Sequence, residues 1–247
     1  MKSFNYKIIY LLVFLSHSLF FTLFARANVE TYSVFAKLPL LGEVQVQNIE
    51  TNFTIINNEF DYSYNVAPTK LVDFFDNKIS HGYIKGIIKN KKINPQLYFY
   101  QSKKDNFERS VKFYYLDGKI KDISIEPKYD TSKITEVTNG MINESIDPVT
   151  MFYLITNYDH IKDCNFTLNI YDGKRRYNLI LSDPIKDSQF FLCTITHKKI
   201  AGYKPEKIEQ DEKYISDLKF KIGQNGKYIF QEVSLRDNNL DLIIKKN

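Results

Sequence analysis

The feature of this sequence that most restricts its fold is the regular alternation of apolar and polar residues. Phe60, Tyr62, Tyr64 and Val66 are each separated by a single polar residue. Because successive side chains of a β-strand point to opposite faces, a period of two is typical of a strand with one buried face. The alternation predicts a large antiparallel sheet, because it recurs many times. The other stretches are residues 32–36, 97–99, 109–115, 166–170, 177–181, 191–195, 218–222 and 240–244.

Short polar pairs separate several of the predicted strands. Asp-Gly stands at residues 117–118 and 172–173, and Asn-Gly stands at residues 225–226. These residue types accept the positive φ angles of a type I′ turn, so each pair predicts a β-hairpin. Over residues 120–123 the alternation slips by one residue, which predicts a β-bulge.

Two short segments have a helical pattern instead. Residues 69–76 follow Pro68 and place their apolar side chains at helical spacing. Asp147 and Pro148 begin the stronger candidate, because aspartate is a good N-cap and proline suits the first helical position. Residues 149–156 are apolar on all sides, so this helix must be covered on all sides. We predict that it lies across the concave face of a curved sheet, as a plug or lid.

The N-terminus, residues 1–27, has the pattern of a secretion signal. Two lysines precede an apolar run over residues 8–24, and Ala-Arg-Ala at residues 25–27 supplies the small side chains that signal peptidase requires. Cleavage after residue 27 would leave residues 28–247 as one domain, since no Gly-, Ser- or Pro-rich linker divides them. No second apolar run is long enough to span a bilayer. The alternative is that the signal is retained as an anchor.

Composition limits the classes of partner. The chain is 43% hydrophobic and 26% charged, which excludes a disordered protein. Removal of the signal takes three basic residues from a formal net charge of +5, so the mature chain is close to neutral. A near-neutral chain lacks the basic surface that nucleic acids require, and we expect no nucleic-acid partner.

Cys164 and Cys193 are the only two cysteines. An even number of cysteines in an exported protein predicts a disulfide. Both alternate with apolar neighbours and therefore face one interior. In a flat meander, however, they would lie on strands two apart, about 9.5 Å from each other, whereas a disulfide needs Cα atoms within about 7 Å. Either Cys164 lies in a loop that curls across before its strand, or both thiols are free and buried.

Arginine is scarce after the signal, and the alternation places two of the four arginines inward. Arg109 is in phase with Tyr115, and Arg175 is in phase with Tyr177. A guanidinium among aromatic side chains needs a carboxylate, an aromatic face or an anionic ligand to offset its desolvation. We hypothesise that both arginines bind the head group of an amphiphile whose tail lies along Tyr115, Tyr177 and Phe152. The alternative is that each arginine reaches water from a strand end or pairs with a nearby aspartate.

The sequence predicts no catalytic residues, no metal site and no cofactor. His81, His160 and His197 do not stand at metal-ligand spacings, and we expect them in surface turns. No G-x-S-x-G elbow and no phosphate-binding glycine loop occurs. Asp172 and Asp183, the best carboxylate pair, both lie at turn signals.

A set of motifs in the second half of the sequence, with one motif upstream, resembles a known bacterial family. The motifs are Asn94-Pro95-Gln96-Leu97-Tyr98, Asp147-Pro148, Cys164, Tyr171-Asp172-Gly173-Lys174-Arg175-Arg176-Tyr177-Asn178-Leu179, Cys193 and Ala201-Gly202-Tyr203. They are similar to the envelope family called domain of unknown function 3108, especially its alphaproteobacterial members, over roughly residues 30–205. The D-G-[KR]-R-R-Y core with flanking cysteines is the specific part.

The resemblance implies a Gram-negative periplasmic protein of mainly β fold. It implies a large curved antiparallel sheet, or half-open barrel, with one or two short helices on its concave face, similar to the lipoprotein carriers LolA and LolB. It brings no established activity and no catalytic residues.

We expect a non-enzymatic periplasmic protein that binds an apolar or amphiphilic, lipid-like envelope molecule. An open sheet that can wrap a helix can also wrap a lipid tail. The alternative is an envelope assembly or scaffold protein that contacts another protein through a sheet edge and the lysine-rich hairpin ends at residues 89–92 and 103–104. Hydrolysis is the third hypothesis.

Overall fold

The computed structural model describes residues 26–38, 40–73, 77–90, 92–157, 164–209, 214–224, 226–236 and 241–247. Nearly all of the predicted secretion signal lies outside the described residues, as do His160 and Asn225. The same holds for residues 74–76 at the end of the first predicted helix.

The described residues form one mainly β fold with thirteen strands in a single antiparallel sheet. The first seven strands are β1 (Arg26–Leu38), β2 (Gly42–Ile56), β3 (Glu59–Pro68), β4 (Ile79–Lys89), β5 (Lys92–Lys104), β6 (Phe107–Leu116) and β7 (Lys119–Glu126). The other six are β8 (Phe166–Tyr171), β9 (Arg176–Lys186), β10 (Phe190–Ala201), β11 (Tyr214–Ile222), β12 (Tyr228–Arg236) and β13 (Asp241–Lys246). Every predicted alternating stretch lies in one of these strands, apart from residue 240, which is outside the described residues.

The strand order is β7-β6-β5-β4-β3-β2-β1-β13-β12-β11-β10-β9-β8. Two meanders, β1 to β7 and β8 to β13, are therefore joined where β1 pairs with β13. The sheet is not closed, so β7 and β8 are its edges. At the β8 edge, the Ile146 N–H donates to the Asn169 carbonyl, and the Ile146 carbonyl accepts from the Tyr171 N–H. This segment covers an edge that would otherwise expose unpaired backbone groups.

The sheet curls so that its two ends pack against each other. The ring of Tyr171 in β8 stacks on the ring of Phe113 in β6, with centroids 5.5 Å apart. Beside them, Gly173 has a φ of +96°, and a Cβ there would lie 2.8 Å from Cγ1 of Val111. Glycine is required at this position by both the backbone conformation and the close approach. The predicted curved sheet is confirmed.

Four short helices occur in the described residues: α1 (Lys70–Asp73), α2 (Asn139–Asn143), α3 (Pro148–Asn157) and α4 (Pro205–Glu209). α3 is the predicted plug, and Asp147 caps it by accepting the Thr150 N–H at 2.8 Å. It contacts β3 and β4 from one meander and β8 and β12 from the other, so it lies on the concave face. Residues 151–154 stay partly exposed, however, so the predicted covering of α3 on all sides is incomplete.

The turns agree with the sequence in part. Both residues at 117–118 have positive φ, as a type I′ turn requires, and Lys121 is the extra residue of the predicted bulge. At residues 172–173 a hairpin forms, but its loop has four residues instead of two. The reason is that the Asp172 carboxylate accepts the N–H groups of Lys174 and Arg175 and so stabilises a longer loop.

Cys164 and Cys193 form a disulfide, with Cα atoms 6.0 Å apart. Cys193 is in β10, whereas Cys164 precedes β8 and has a φ of +38°. The bond therefore crosses β9 from a loop that curls over the interior, which is the first of the two alternatives left open by the sequence.

We predict that replacing both cysteines, as Cys164→Ser with Cys193→Ser, lowers the unfolding free energy by roughly 3 to 4 kcal/mol, because the bond closes a long loop. Chemical denaturation measures the change. Wild-type protein in reductant should unfold like the double variant, and an unchanged midpoint in the double variant would contradict the prediction.

Candidate functional site

One row of side chains crosses the concave face of the sheet. Arg109 of β6 is opposite Ser102 of β5, which is opposite Ser80 of β4; the row continues to Val66 of β3 and Ile49 of β2. We call these five residues the concave row. With strands about 4.8 Å apart, the backbone of Arg109 is about 14 Å from that of Val66. Along this distance the side chains change from cationic through hydroxyl to apolar.

The apolar end of the concave row opens into a cleft under α3. The cleft has a volume of about 140 Å³ and is lined by Ile49, Tyr64, Val66, Pro148, Met151 and Phe152. Of these six side chains only Ile49 is buried, and the other five keep accessible surface. Apolar side chains on the concave face are therefore incompletely covered at this place.

Two aromatic residues of α3 have different roles. The Tyr153 ring packs against those of Phe53 and Tyr62, with centroids 5.0 and 5.2 Å away. The Phe152 ring meets the edge of Tyr32 at 5.5 Å and lines the cleft. Tyr153 thus anchors the helix to the sheet, while Phe152, a predicted site residue, faces the open space.

The N-terminus of α3 is held by a buried carboxylate. Asp147 is fully buried and accepts hydrogen bonds from the hydroxyls of Thr150 and Tyr115, each at 2.6 Å. Burial raises the pKa of Asp147, although these hydrogen bonds oppose the rise. Burial and the adjacent Asp147 also raise the pKa of Tyr115 far above its ordinary value. Tyr115, another predicted site residue, therefore connects β6 to α3 as a hydrogen-bond donor.

Arg109 lies at the polar end of the concave row and points inward, in phase with the fully buried Val111 and Phe113. Its Cζ is 4.0 Å from the ring centroid of Tyr129 and 5.0 Å from that of Phe107. Its Nε is buried and has no hydrogen-bond partner among the described residues. A buried N–H without an acceptor is costly, so the Nε–H of Arg109 is available to donate to an acceptor that the described residues do not supply.

A second cation lies beside the same tyrosine. Nζ of Lys174 is 5.1 Å from the ring centroid of Tyr129. Burial raises the pKa of Tyr129 even though Arg109 lowers it, so the phenol stays neutral. Sequence analysis missed Lys174 and Tyr129, because neither lies in a strand and the alternation of apolar residues does not reach them.

Arg175, predicted to point inward with Arg109, does not. It is exposed in the loop before β9, where its Cζ is 5.6 Å from the ring centroid of Tyr203. The longer loop moves the start of the strand to Arg176, and that residue is only 5% exposed. Nη1 of Arg176 donates to the Tyr177 carbonyl at 2.7 Å and to Oδ1 of Asn178. The buried arginine of this motif is thus the one that the sequence analysis did not select.

Tyr177 lies on β9, beside His197 of β10, with ring centroids 4.8 Å apart. It does not line the α3 cleft. His197 is in a strand and not in the predicted turn, and burial lowers its pKa to about 4, with the charges of Lys199 and Arg175 adding to the effect. The structure therefore places Phe152 at the apolar end of the concave row and Arg109 at its polar end. Tyr177 and Arg175 lie away from the row.

Two further features were sought in the described residues. These residues contain no group of three His, Cys, Asp or Glu side chains that could hold a metal ion. None of the described helices is long and apolar enough to cross a membrane.

A family comparison matches this fold and its motifs. The model for DUF3108, a protein family of unknown function, matches residues 31–186. The chain belongs to the DUF3108 family. The match includes α3 and the β8–β9 loop and ends with β9 at residue 186. Cys193 and the Ala201-Gly202-Tyr203 motif, which the predicted resemblance over roughly residues 30–205 included, lie beyond the match.

No curated protein matches this DUF3108 chain. Among solved structures, it is similar to the crystal structure of a beta-barrel-like protein of DUF1849 from Brucella abortus. The two are 8% identical with a TM-score of 0.48, over 92% of this chain and 98% of the other. The similarity to LolA and LolB stays a prediction.

Two motifs singled out in the sequence analysis hold the loop that carries Lys174, the first inside the family match and the second beyond it. Asp172 accepts the backbone N–H groups of Lys174 at 2.8 Å and of Arg175 at 2.6 Å. Gly202 of the Ala-Gly-Tyr motif has a φ of +80°, and a Cβ there would lie 2.0 Å from the Lys174 carbonyl oxygen. Any larger residue at 202 would push this loop away from β10.

We predict that His197 makes the protein less stable in acid. Between its ordinary pKa near 6.5 and the folded value of about 4, the unfolded chain binds a proton that the folded chain does not. The stability that neutral His197 contributes is therefore fully present above its ordinary pKa and is lost as the pH falls towards 4. Thermal melting of His197→Asn should show a smaller acid-induced drop in Tm than wild type. His81→Asn, on the convex face, is the control, and equal drops in wild type and His197→Asn would contradict the prediction.

Proposed function

We propose that this protein binds an amphiphilic molecule of the cell envelope without acting as an enzyme. The apolar part of the ligand occupies the α3 cleft, and its head group meets Arg109. The observation that carries the proposal is the concave row, because it links an incompletely covered apolar cleft to a partly buried guanidinium, with a buried Nε–H, on one face of the sheet.

The size of the cleft limits what it holds. Sites for complete drug-sized ligands measure about 300 to 1,000 Å³, and a dry apolar cavity of about 150 Å³ accommodates a molecule the size of benzene. A cleft of about 140 Å³ therefore suits the end of an alkyl chain. The adjoining methylenes would contact Val66, Met151 and Phe152, which line the cleft and keep accessible apolar surface.

The middle of the row suits polar linking groups. Ser80 and Ser102 present part-buried hydroxyls there, and Oγ of Ser80 is 3.5 Å from Oη of Tyr100. Hydroxyls both donate and accept hydrogen bonds, so they suit the ester or hydroxyl groups that join a lipid tail to its head.

The polar end suits an anion. The Arg109 Nε–H lacks an acceptor among the described residues. Lys174 contacts the ring of Tyr129, as Arg109 does, and so brings a second positive charge to this end of the row. A carboxylate or phosphate would satisfy the guanidinium through charge-assisted hydrogen bonds. We therefore propose that the ligand is an anionic amphiphile.

A periplasmic location belongs to the same proposal. The Cys164–Cys193 disulfide supports an oxidising compartment. The predicted signal would deliver the chain there. Native mass spectrometry of protein purified from a periplasm should reveal copurified amphiphile; an empty, tightly packed interior would favour the scaffold alternative.

We predict that Val66→Phe, which fills the cleft, weakens binding of a fluorescent fatty acid on the order of tenfold, because at least two methylenes of the ligand lose their burial. Fluorescence titration measures the change. Ala67→Phe is the matched control, since residue 67 is exposed on the opposite face of β3. Unchanged binding by Val66→Phe at an unchanged Tm would contradict the position of the tail.

We predict that Arg109→Gln weakens binding of the same fatty acid by about tenfold to a hundredfold, because a charge-assisted hydrogen bond is lost. Its methyl ester, which has no negative charge, should bind wild type and variant alike. Lys112→Gln is the control, because Lys112 is a cation of the same strand that stacks on Tyr114 at 5.5 Å, out of phase with Arg109. Equal losses for acid and ester would show that Arg109 supports only the fold.

A further inference from the structure

Three connections of the first meander lie at the same end of the sheet as both parts of the proposed site. They are the β1–β2, β3–β4 and β5–β6 connections, which share one end because neighbouring strands are antiparallel. Val66 lies near the end of β3, and Arg109 near the start of β6. We call the described residues of these three connections, with the residues that flank them, the mouth rim.

The mouth rim carries the most exposed large apolar side chain of the described residues. Leu40 and Leu41, at the tip of the β1–β2 hairpin, are 98% and 74% exposed. Leu71 and Ile79 follow on the β3–β4 connection, and Phe107 follows at the start of β6, each at least half exposed. Single exposed apolar residues are ordinary, but five on three neighbouring connections mark an interaction surface.

We infer that the mouth rim docks on a lipid bilayer, with Leu40 and Leu41 inserted between the head groups. The amphiphile then passes between the bilayer and the concave row without crossing water. This inference rests on the proposed function and names the partner of the same site.

The rim adjoins the proposed binding site, and this favours a bilayer as its partner. Phe107 is 52% exposed at the rim, and its ring centroid is 5.0 Å from Cζ of Arg109. A ligand leaving the head-group end of the row therefore meets the rim directly. An amphiphile partitions strongly into bilayers, so its exchange requires contact between this opening and a membrane.

The arrangement of the exposed apolar side chains at the mouth rim favours a lipid bilayer over a protein as the partner. A protein interface buries about 800 Å² on each partner with complementary shapes. The rim instead offers exposed apolar side chains on three separate connections, and a fluid bilayer can accommodate such side chains without a partner surface of matching shape.

Charge contributes little to the docking. Exposed lysines at the rim alternate with carboxylates, so attraction and repulsion by lipid head groups largely cancel. Docking should therefore occur on vesicles of zwitterionic phosphatidylcholine and depend weakly on salt. Besides Arg109, the described charged residues are Lys37, Lys70, Lys78, Lys103 and Lys104 with Glu43, Asp73, Asp105 and Glu108, five cations against four anions.

The test is flotation of the full chain with phosphatidylcholine vesicles. Leu40→Asp with Leu41→Asp should lower the partition coefficient by roughly tenfold or more, because two exposed leucines no longer enter the bilayer. Leu116→Asp with Ile185→Asp is the matched control: these side chains are 59% and 61% exposed at the opposite end of the sheet. Equal partition of wild type and the Leu40/Leu41 variant would overturn the inference.

A second measurement does not depend on the double variant. The chain has no tryptophan, so Leu41→Trp introduces a unique fluorophore at the tip. Its emission should shift to shorter wavelength when the vesicles are added, and an unshifted spectrum would overturn the inference.

Fatty-acid titration separates this inference from the proposed function. If the Leu40/Leu41 variant and wild type both bind the fatty acid but neither binds vesicles, docking is wrong and the proposed function stands. If wild type binds vesicles and not the fatty acid, the proposed function is wrong, and the rim is a membrane surface without the transfer inferred here.

Discussion

The shape of the interior depends on one contact, which β8 and the β8–β9 loop make with β6. Tyr171 stacks on Phe113, and Gly173 lies against Val111, so opposite ends of a thirteen-stranded order meet. A sheet this long would otherwise stay open and leave its apolar face in water. Curling buries much of that face and creates a hollow, in which α3 lies with an apolar cleft of about 140 Å³ left beside it.

α3 shows how stability and an open site coexist in this fold. Asp147 is buried and accepts hydrogen bonds from Thr150 and Tyr115, so the start of the helix is fixed to β6. Tyr153 fixes the opposite face. Because Asp147 and Tyr153 hold the helix in place, Phe152 does not need to be fully buried, and an apolar cleft remains beside it. The disulfide at Cys164 adds a covalent link to β10 beyond the end of α3.

Much of the architecture could be predicted, because its causes are local. Alternation identifies strands such as β3, and the Asp147 cap identifies α3. Arg175 shows where this reasoning stops: a four-residue loop in place of a two-residue turn removes it from the strand, and Arg176 becomes the buried arginine. Neither Tyr129, which contacts Arg109, nor Lys174, which contacts Tyr129, could be predicted for this site, since no periodic pattern includes them.

The sequence by itself determined the strands, the position of the capped helix and the inward phase of Arg109, because alternation and capping depend on neighbouring residues. Only the tertiary structure decided that the two cysteines meet, that the concave row joins Arg109 to Val66, and that the cleft beside α3 stays open. These features depend on strand order and on the curvature of the sheet. Both arise from contacts between residues far apart in the chain, such as Phe113 and Tyr171.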